Sequence, residues 1–324
     1  MTVRARPLSE FAAISQLEAL FRQPSSKLEL GIGDDAAVLK SAGRWVWTVD
    51  TAVEHVHFER AWLSLADLGF RSFQAAASDV SAMGGAPFAA LSSVIFPRNF
   101  AATELTQLAR GQRAAARALG CAIVGGNLAR GVELSVTTTV VGSVQRPLLR
   151  SGARVGDELW LCGDLGLAAA GLRLLQAGTL HGTSGPERRA LSAFRRPQAQ
   201  LAAGLELVRG AHAAIDISDG LAGDALHVAE ASGVELQIDL VALAATLSPA
   251  LLALAPRLGI PALELALYGG EDYALLAAGP ERARPRSASV IGSVGKGGGV
   301  WLLEGRRRRR AGRGFEHSGG RTAQ

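Results

Sequence analysis

The sequence predicts an α+β protein built from two domains. Its 324 residues are enough for two cores of ordinary size. Each half of the chain alternates β-branched strand patterns with alanine-rich helical patterns. A polar, glycine-containing stretch over residues 147–157 separates the halves. We therefore expect domains at residues 1–147 and 148–305, followed by a basic tail at 306–324.

The composition is that of a globular protein. Hydrophobic residues make up 48% of the chain and charged residues 19%, which excludes a disordered chain. No apolar run approaches the ~20 residues needed to span a bilayer, and the first residues lack the apolar core of a signal peptide. Cys121 and Cys162 lie far apart in apolar surroundings, which argues against a zinc site or a redox pair. These features predict a reducing, cytoplasmic location.

The positive charge is concentrated near the C-terminus. The formal net charge is +5, and Arg306–Arg310 are five consecutive arginines. Such a run can bind nucleic acid or an anionic membrane. No interleaved aromatic residues or nucleic-acid motif accompany it, so we expect a solvated tail with neither a nucleic-acid nor a membrane partner.

The elements of the first half follow from apolar residues at helical spacing, or from alternating β-branched residues. The predicted helices and strands are a helix over 8–21, a strand over 45–50, a helix over 67–83, a strand over 89–96, a helix over 103–119, a strand over 121–124 and a strand over 133–144. Gly84 and Gly85 end the second helix, as glycines commonly do.

The second half repeats this alternation. Its predicted elements are a strand over 158–162, a helix to 175, a loop over 178–187, a helix over 198–208, a strand to 217, a helix over 221–231, a strand over 234–240, a helix over 243–260 and strands over 274–278, 289–294 and 300–303. The glycine-rich turn Gly163–Gly166 before the first of these helices could hold a phosphate or could serve packing alone, and the sequence does not decide between them.

The segment Ile215–Gly220 delivers two carboxylates and a hydroxyl to one point. Strand alternation puts Asp216 and Ser218 on one face, and Asp219 stands at the turn into the next helix. Such aspartates can cap the helix or bind a metal ion. Further carboxylates stand at turns, strand ends and a helix in the first half: Asp35, Asp50 and Asp79.

One metal–phosphate centre would account for all of these carboxylates. Two like charges ~4 Å apart repel by about 4 kcal/mol at an effective dielectric constant of 20. If the groups converge, either some remain protonated or divalent cations lie between them. Oxygen ligands without thiolates select magnesium or manganese, and several magnesium ions beside glycine-rich backbone suit a nucleoside triphosphate.

Two further patterns are weaker. Gly125 and Gly126 follow a strand, where their backbone N–H groups could approach an anion. His55 and His57 would share a face if the chain is extended, and such a pair can bind a transition metal. Because no third soft ligand stands nearby, hydrogen bonding to a substrate or to the fold is the favoured role.

The chain resembles the thiamine-monophosphate kinase family, within the superfamily that also contains aminoimidazole ribonucleotide synthetase. Seven segments carry the resemblance in order over nearly the whole chain: GIGDDAAVL, TVDT with the later His57-Phe58, SDVSAMGGAP, GGNLARG, RSGARVGD, IDISDGLAGD and YGGEDY. The resemblance implies a two-domain aminoimidazole ribonucleotide synthetase-like fold, with a dimer-forming β-sheet in the N-terminal domain and an α/β sandwich in the C-terminal domain. It also implies a homodimer with ATP bound across the cleft between the domains.

The resemblance also implies roles for particular residues. The implied magnesium ligands are Asp35, Thr48, Asp50, Asp79, Asn127, Asp216 and Asp219, of which Asp216 and Asp219 are also the catalytic residues. The implied ATP contacts are Gly126, Asn127, Arg150 and Ser218. The implied contacts to thiamine monophosphate are His57, Glu271 and Phe315.

The implied reaction is direct, in-line transfer of the γ-phosphoryl group of ATP to thiamine monophosphate, with several Mg²⁺ ions. One position departs from the family, because Asn127 stands where Gly-Gly-Asp is usual and removes a formal charge from one metal site. Two alternatives remain open: the same fold acting on another small-molecule acceptor, and a weakly active nucleotide-binding paralogue.

Overall fold

The computed structural model describes residues 16–17, 19–22, 27–30, 38–39 and 43–312. The chain divides into two compact units. The first contains the described residues up to Val80 together with Gly85–Gln145, and the second contains Ser81–Gly84 and the described residues from Arg146 onwards. Residues 16–17 and 19–21 are helical, as expected for the opening helix. The rest of that predicted helix, together with Asp35 and Phe315, lies outside the described residues.

The first unit combines a four-stranded sheet with two helices. Its elements are β1 (Leu28–Leu30), β2 (Val38–Leu39), β3 (Arg44–Val53), α1 (Leu65–Ala82), β4 (Ala86–Phe96), α2 (Ala102–Ala118), β5 (Ala122–Arg130) and β6 (Ser135–Val144). The sheet order is β3-β6-β4-β5, with only the β4–β5 pair parallel, while β1 and β2 pair separately. The double glycine lies within a strand and does not follow one as predicted, because β5 continues through it to Arg130.

The two faces of this sheet differ. Side chains alternate between faces along each strand, and Gln112 of α2 donates a hydrogen bond to buried Ser92 of β4, which identifies the helix-covered face. The opposite face exposes large apolar side chains on β3 and β4: Trp47 is 60% exposed, Val49 63%, Leu91 41% and Ile95 39%. A sheet face this apolar is a candidate interaction surface.

The second unit is organised around a seven-stranded sheet. Its strands are β7 (Glu158–Cys162), β8 (Ala213–Ile217), β9 (Glu235–Asp239), β10 (Ala274–Gly279), β11 (Ser289–Gly295), β12 (Gly299–Glu304) and β13 (Arg307–Arg310). The order is β13-β12-β9-β11-β7-β10-β8, and only the β12–β9 pair is parallel. Trp160 of β7 and Leu275 of β10 are completely buried within its core.

Helices flank these strands in the sequence. They are α3 (Leu167–Gln176), α4 (Gly185–Arg195), α5 (Leu201–Leu207), α6 (Leu221–Ser232), α7 (Leu240–Thr246), α8 (Pro249–Leu258) and α9 (Ala262–Tyr268). The single helix predicted over 243–260 is wrong. Its leucine-rich stretch divides where Ser248 caps α8 through a hydrogen bond from the Leu251 N–H, with Pro249 at the first helical position.

The helix α4 was not predicted at all. Ser184 and Glu187 form a reciprocal capping box at its start, in which the Ser184 hydroxyl accepts from the Glu187 N–H and the Glu187 carboxylate accepts from the Ser184 N–H. Pro186 stands in its first turn. This local signature marks a helix N-terminus inside the segment assigned to a loop.

No single helix among the described residues is both long and apolar enough to cross a membrane. The bent pair α7–α8, with 107° between its members, meets the length and composition test only when the two are joined. Leu243, Leu251 and Leu254 of this pair are completely buried within the protein.

The arginine run is not a tail. Arg307–Arg310 form β13, an exposed edge strand paired antiparallel with β12. Arg308 forms an ion pair with Glu235, and its guanidinium lies 3.8 Å from the centre of the Trp301 ring. These two contacts give the strand fixed partners although arginine has no strong strand preference.

Candidate active site

The IDISDG segment forms the end of β8 and the turn that follows it. Asp216 is buried within β8, whereas Ser218 and Asp219 are half-buried beyond its end. Gly220 has φ +111°, and a Cβ there would lie 3.0 Å from the carbonyl carbon of Tyr268. Only glycine accommodates both requirements, so the turn into α6 depends on it.

Asp224, in the first turn of α6, holds this turn in place. Its Oδ2 atom accepts hydrogen bonds from the N–H groups of Ser218, at 3.0 Å, and Asp219, at 3.1 Å. The pKa of Asp224 is raised to about 7: burial is the main cause, the neighbouring charges of Asp216 and Asp219 add to the rise, and the two N–H bonds oppose it. Asp224 was not predicted as a site residue, although an aspartate in the first turn of a helix is a recognisable signal.

The YGGEDY segment docks on the same turn. The N–H of Glu271 donates to the carbonyl oxygen of Ser218 over 2.7 Å, and the N–H of Tyr273 donates to that of Ile217 over 2.9 Å. A Cβ on Gly270 would lie only 2.3 Å from the Ser218 carbonyl oxygen. Two motifs that are distant in the sequence therefore form one structure.

Glu271 is held in an unusual conformation. Its φ is +71°, and that of Tyr273 is +51°, both in the left-handed region that non-glycine residues rarely adopt. The Tyr273 hydroxyl donates a 2.7 Å hydrogen bond to Glu271 Oε2. Backbone strain of this kind is concentrated at functional sites and persists because surrounding contacts enforce it.

Asp272 resolves the open question about the Gly163–Gly166 turn. Its carboxylate accepts hydrogen bonds from the N–H groups of Gly166, at 2.8 Å, and Ala168, at 3.3 Å, at the start of α3. These donors are therefore used by the protein itself, which favours the packing interpretation over phosphate binding. Burial raises the pKa of Asp272 to about 8, opposed by the two N–H bonds and reinforced by the charges of Glu271 and Asp164.

In the first unit, the candidate ligands Thr48 and Asp79 are in direct contact. The Thr48 hydroxyl on β3 donates a 2.5 Å hydrogen bond to Asp79 Oδ2 on α1. Asp79 is half-buried and follows the completely buried Ser78. Asp50 is exposed two residues further along β3, and its Oδ1 atom accepts from the Thr51 N–H over 2.7 Å.

The sheet register relates Asp50 to the double glycine. Asp50, Thr138, Ser92 and Gly126 are successive partners in one row across the strands. A Cβ on Gly126 would lie 1.8 Å from the Ser92 carbonyl oxygen, so close packing of β4 and β5 is a sufficient reason for glycine there. Asn127 pairs with Ser93 in the adjacent row, out of phase with Asp50.

The two histidines do not share an extended face. β3 ends at Val53, and the chain then turns, with His55 at φ +67°. His57 Nδ1 accepts a 3.1 Å hydrogen bond from the Val53 N–H, whereas exposed His55 contacts Glu59 over 2.9 Å. The paired-histidine interpretation is therefore wrong, while His57 remains half-buried at the end of the strand.

The described donors suit a hard cation, although they do not form a compact cluster inside either unit. Within the described part of each unit, no three histidine, cysteine or acidic side chains gather closely enough to hold a metal ion. Thr48, Asp50 and Asp79 nevertheless offer only oxygen, and Thr48 uses its proton toward Asp79, which leaves its oxygen lone pairs available. Asp216 and Asp219 offer the same chemistry in the second unit, so the residues fit magnesium in donor type.

Family comparisons assign both halves of the chain. Residues 33–144 match the model described as "AIR synthase related protein, N-terminal domain", and residues 154–300 match its C-terminal counterpart. The chain is thus a two-domain AIR synthase-like protein, which confirms the predicted fold class.

Individual relatives identify the family within this class of proteins. The thiamine-monophosphate kinase of Mycobacterium tuberculosis is 38% identical over 304 residues, covering 92% of this chain and 88% of the relative. The crystal structure of thiamine-monophosphate kinase from Stenotrophomonas maltophilia K279a has a TM-score of 0.82 at 32% identity, covering 92% of this chain and 98% of that one. AaThiL complexed with AMPPCP and TMP has a TM-score of 0.77 at 32% identity, covering 93% and 96% respectively. The chain belongs to the thiamine-monophosphate kinase family.

Proposed function

We propose that this protein phosphorylates thiamine monophosphate with ATP, forming thiamine diphosphate and ADP. The observation that carries the proposal is the docking of YGGEDY on IDISDG, through the 2.7 Å hydrogen bond from Glu271 to Ser218. It brings the proposed acceptor contact Glu271 beside the proposed nucleotide contact Ser218 and ligand Asp219. Family membership and the AaThiL complex with AMPPCP and TMP support the same pair of substrates.

The transfer is direct. A phosphate oxygen of thiamine monophosphate attacks the γ-phosphorus of ATP in line, one P–O bond forms, and the bond to the bridging oxygen of ADP breaks. No nucleophile from the protein is needed, so its contribution is positioning and charge stabilisation. Ser218, Gly126, Asn127 and Arg150 are the proposed ATP contacts, and His57, Glu271 and Phe315 the proposed acceptor contacts.

Magnesium is the proposed cofactor. The residues proposed to hold it are Asp35, Thr48, Asp50, Asp79, Asn127, Asp216 and Asp219. When bound, the ions neutralise charge on the phosphate oxygens. Asp224 contributes by fixing the N–H groups of Ser218 and Asp219, which sets the backbone that carries the proposed catalytic residue Asp219.

Acceptor-dependent release of ADP tests this function. With Mg²⁺ and ATP, we expect ADP to appear when thiamine monophosphate is present but not with other phosphorylated small molecules. Release with a different acceptor would instead favour the alternative of the same fold acting on that compound. Asp219→Asn is expected to abolish the thiamine-dependent signal.

A weakly active nucleotide-binding protein is the second candidate, because Asn127 replaces a carboxylate. It predicts that AMPPCP binds but that a single-turnover reaction with ATP and thiamine monophosphate forms product slowly or not at all. A full conversion in the first turnover would exclude it.

We also propose that the exposed face of the first sheet is a homodimer interface. Trp47, Val49, Leu91 and Ile95 form an apolar surface on the side away from the helices, and a second copy of this face would remove it from water. Trp47→Asp is expected to yield monomers in sedimentation experiments. Val132→Asp, at a residue 91% exposed in a loop, is the matched control and should remain dimeric.

A cytoplasmic location remains our proposal. Cys121 and Cys162 are both buried free thiols, and burial raises the pKa of Cys121 to about 12 and that of Cys162 to about 11. Free, unreactive thiols of this kind suit a reducing compartment, and their role in the protein is packing.

A further inference from the structure

Helix α6 contacts two separate segments through polar side chains at its two ends. Near its start, Asp224 accepts hydrogen bonds from the N–H groups of Ser218 and Asp219. At its last residue, the Ser232 hydroxyl accepts the N–H groups of Gly152 and Ala153, both at 3.1 Å. The same hydroxyl donates a 3.0 Å hydrogen bond to the carbonyl oxygen of Arg150.

Ser232 thereby uses its full hydrogen-bonding capacity on one loop. A serine hydroxyl has one donor and two acceptor positions, and all three are directed at the segment Arg150–Ala153. Alanine at this position would leave two N–H groups and one carbonyl without their partner. The local shape of the loop therefore depends on a single side chain from a distant part of the sequence.

Other contacts hold the rest of this loop. On one side, the Leu149 carbonyl accepts a 3.0 Å hydrogen bond from the Ala214 N–H of β8. On the other, Asp157 accepts the Arg154 N–H over 2.8 Å and contacts His212 Nδ1 over 2.9 Å. The loop backbone is thus fixed at both ends, with Ser232 supporting its middle.

The Arg150 side chain contrasts with its backbone. Arg150 is exposed, and among the residues that the structure describes its guanidinium makes no hydrogen bond or ion pair. A planar cation on an immobilised backbone is well suited to bind an anionic or polar ligand, because binding then costs little backbone conformational entropy.

We propose that Ser232 is a positioning residue for the nucleotide: through α6 it holds the Arg150 loop at a fixed separation from Ser218 and Asp219. Eight residues separate Asp224 from Ser232, which corresponds to about 12 Å along a helix axis. The two loops are therefore held at opposite ends of one rigid helix. Their spacing suits a ligand as extended as a nucleoside triphosphate. This inference rests on the proposed function, which assigns ATP contacts to Arg150 and Ser218.

The first test separates nucleotide binding from turnover. Ser232→Ala is expected to raise the KM for ATP and the Kd for AMPPCP by about tenfold, the loss expected from one or two net hydrogen bonds. The kcat at saturating ATP and the KM for thiamine monophosphate are expected to stay unchanged. Thr246→Ala is the matched control, because the Thr246 hydroxyl bonds locally to the Leu243 carbonyl at the end of α7. Unchanged ATP affinity with a lower Tm would overturn the proposal.

A double-mutant cycle tests whether Ser232 acts through Arg150. In an Arg150→Gln background, Ser232→Ala should weaken AMPPCP binding no further. Fully additive losses would overturn the proposal. The single substitution Ser232→Thr, which keeps the hydroxyl, should retain the wild-type affinity for AMPPCP.

The rate of trypsin cleavage after Arg150 and Arg154, in the absence of nucleotide, measures how well the loop is ordered. Ser232→Ala should accelerate this cleavage, whereas Thr246→Ala should not, and equal rates in wild type and both variants would contradict the support assigned to Ser232. If the wild-type protein binds no AMPPCP, the proposed function fails, and the cleavage rates still decide whether Ser232 orders the loop.

Discussion

The backbone N–H of Glu271 donates a hydrogen bond to the carbonyl oxygen of Ser218, which joins the two most distinctive motifs of the second unit. Gly270 makes this approach possible, because a Cβ there would lie 2.3 Å from the same oxygen. The pair links the proposed acceptor contact to the proposed nucleotide contact through the backbone alone.

Gly270→Ala should therefore separate the two motifs. We expect a loss of stability of about 1–3 kcal/mol from overpacking, together with a large fall in kcat/KM. Gly298→Ala is the control, since a Cβ at that exposed glycine meets nothing within 4 Å. Urea unfolding and steady-state kinetics on both variants would check this, and wild-type values for Gly270→Ala would contradict the proposed coupling.

Tyr273→Phe should weaken acceptor binding selectively. Its hydroxyl donates a 2.7 Å hydrogen bond to Glu271 Oε2, and a bond to a charged group is worth about 1.5–3 kcal/mol. The KM for thiamine monophosphate should rise about tenfold or more, with the KM for ATP unchanged. In a Glu271→Gln background the same change should have little further effect. An equal rise in both KM values would mean that Tyr273 does not act through Glu271.

Asp272 should make stability decline as pH rises. Burial raises its folded pKa from 3.8 to about 8, so between these values the folded protein holds a proton that the unfolded chain has lost. The stabilisation is complete below about pH 4 and is lost as pH rises through about 8, with a total on the order of a few kcal/mol. Asp272→Asn keeps an oxygen acceptor and should flatten this part of the curve in urea unfolding between pH 5 and 8.5.

Asp239→Asn is the control for Asp272→Asn in these unfolding experiments. Asp239 caps α7 through the N–H groups of Val241 and Ala242, so Asp239→Asn tests the loss of a capping carboxylate at a different helix. An unaltered pH slope in Asp272→Asn would contradict the assignment of that slope to Asp272.

Thr48→Val should increase the magnesium requirement. It removes the 2.5 Å hydrogen bond to Asp79 and one oxygen from the proposed ligand set. We expect about a tenfold higher Mg²⁺ concentration at half-maximal activity, within the range seen when a partner of a metal ligand is lost. Thr106→Val on α2, whose hydroxyl bonds to the Ala102 carbonyl of the same helix, should not alter it. A Thr48→Val variant with the wild-type magnesium dependence would remove Thr48 from the site.

Strong periodic patterns were sufficient to predict most elements. The alternating strand at Arg44–Val53 and the alanine-rich helix at Leu65–Ala82 lie where their patterns indicate. The strand Arg307–Arg310 could not be found this way, because its stability depends on Glu235 and Trp301, which are distant in the sequence.

The site shows the same division between local and distant information. The motifs identify Ser218, Asp219 and Glu271, and the structure joins them. The supporting roles of Asp272 and Ser232 depend on N–H groups contributed by other segments, which local patterns do not encode. Sequence therefore predicts the groups that could meet a ligand more readily than the groups that hold them in position.

The most direct test of the central claim follows the γ-phosphoryl group itself. Wild-type protein is incubated with Mg²⁺, thiamine monophosphate and ATP labelled in the γ-phosphate, and the products are separated. We predict that the label appears in the terminal phosphate of thiamine diphosphate, one for each ADP formed, and that Asp219→Asn abolishes this transfer. Label that remains in ATP or appears only as inorganic phosphate, with no labelled thiamine diphosphate, would contradict the proposed function.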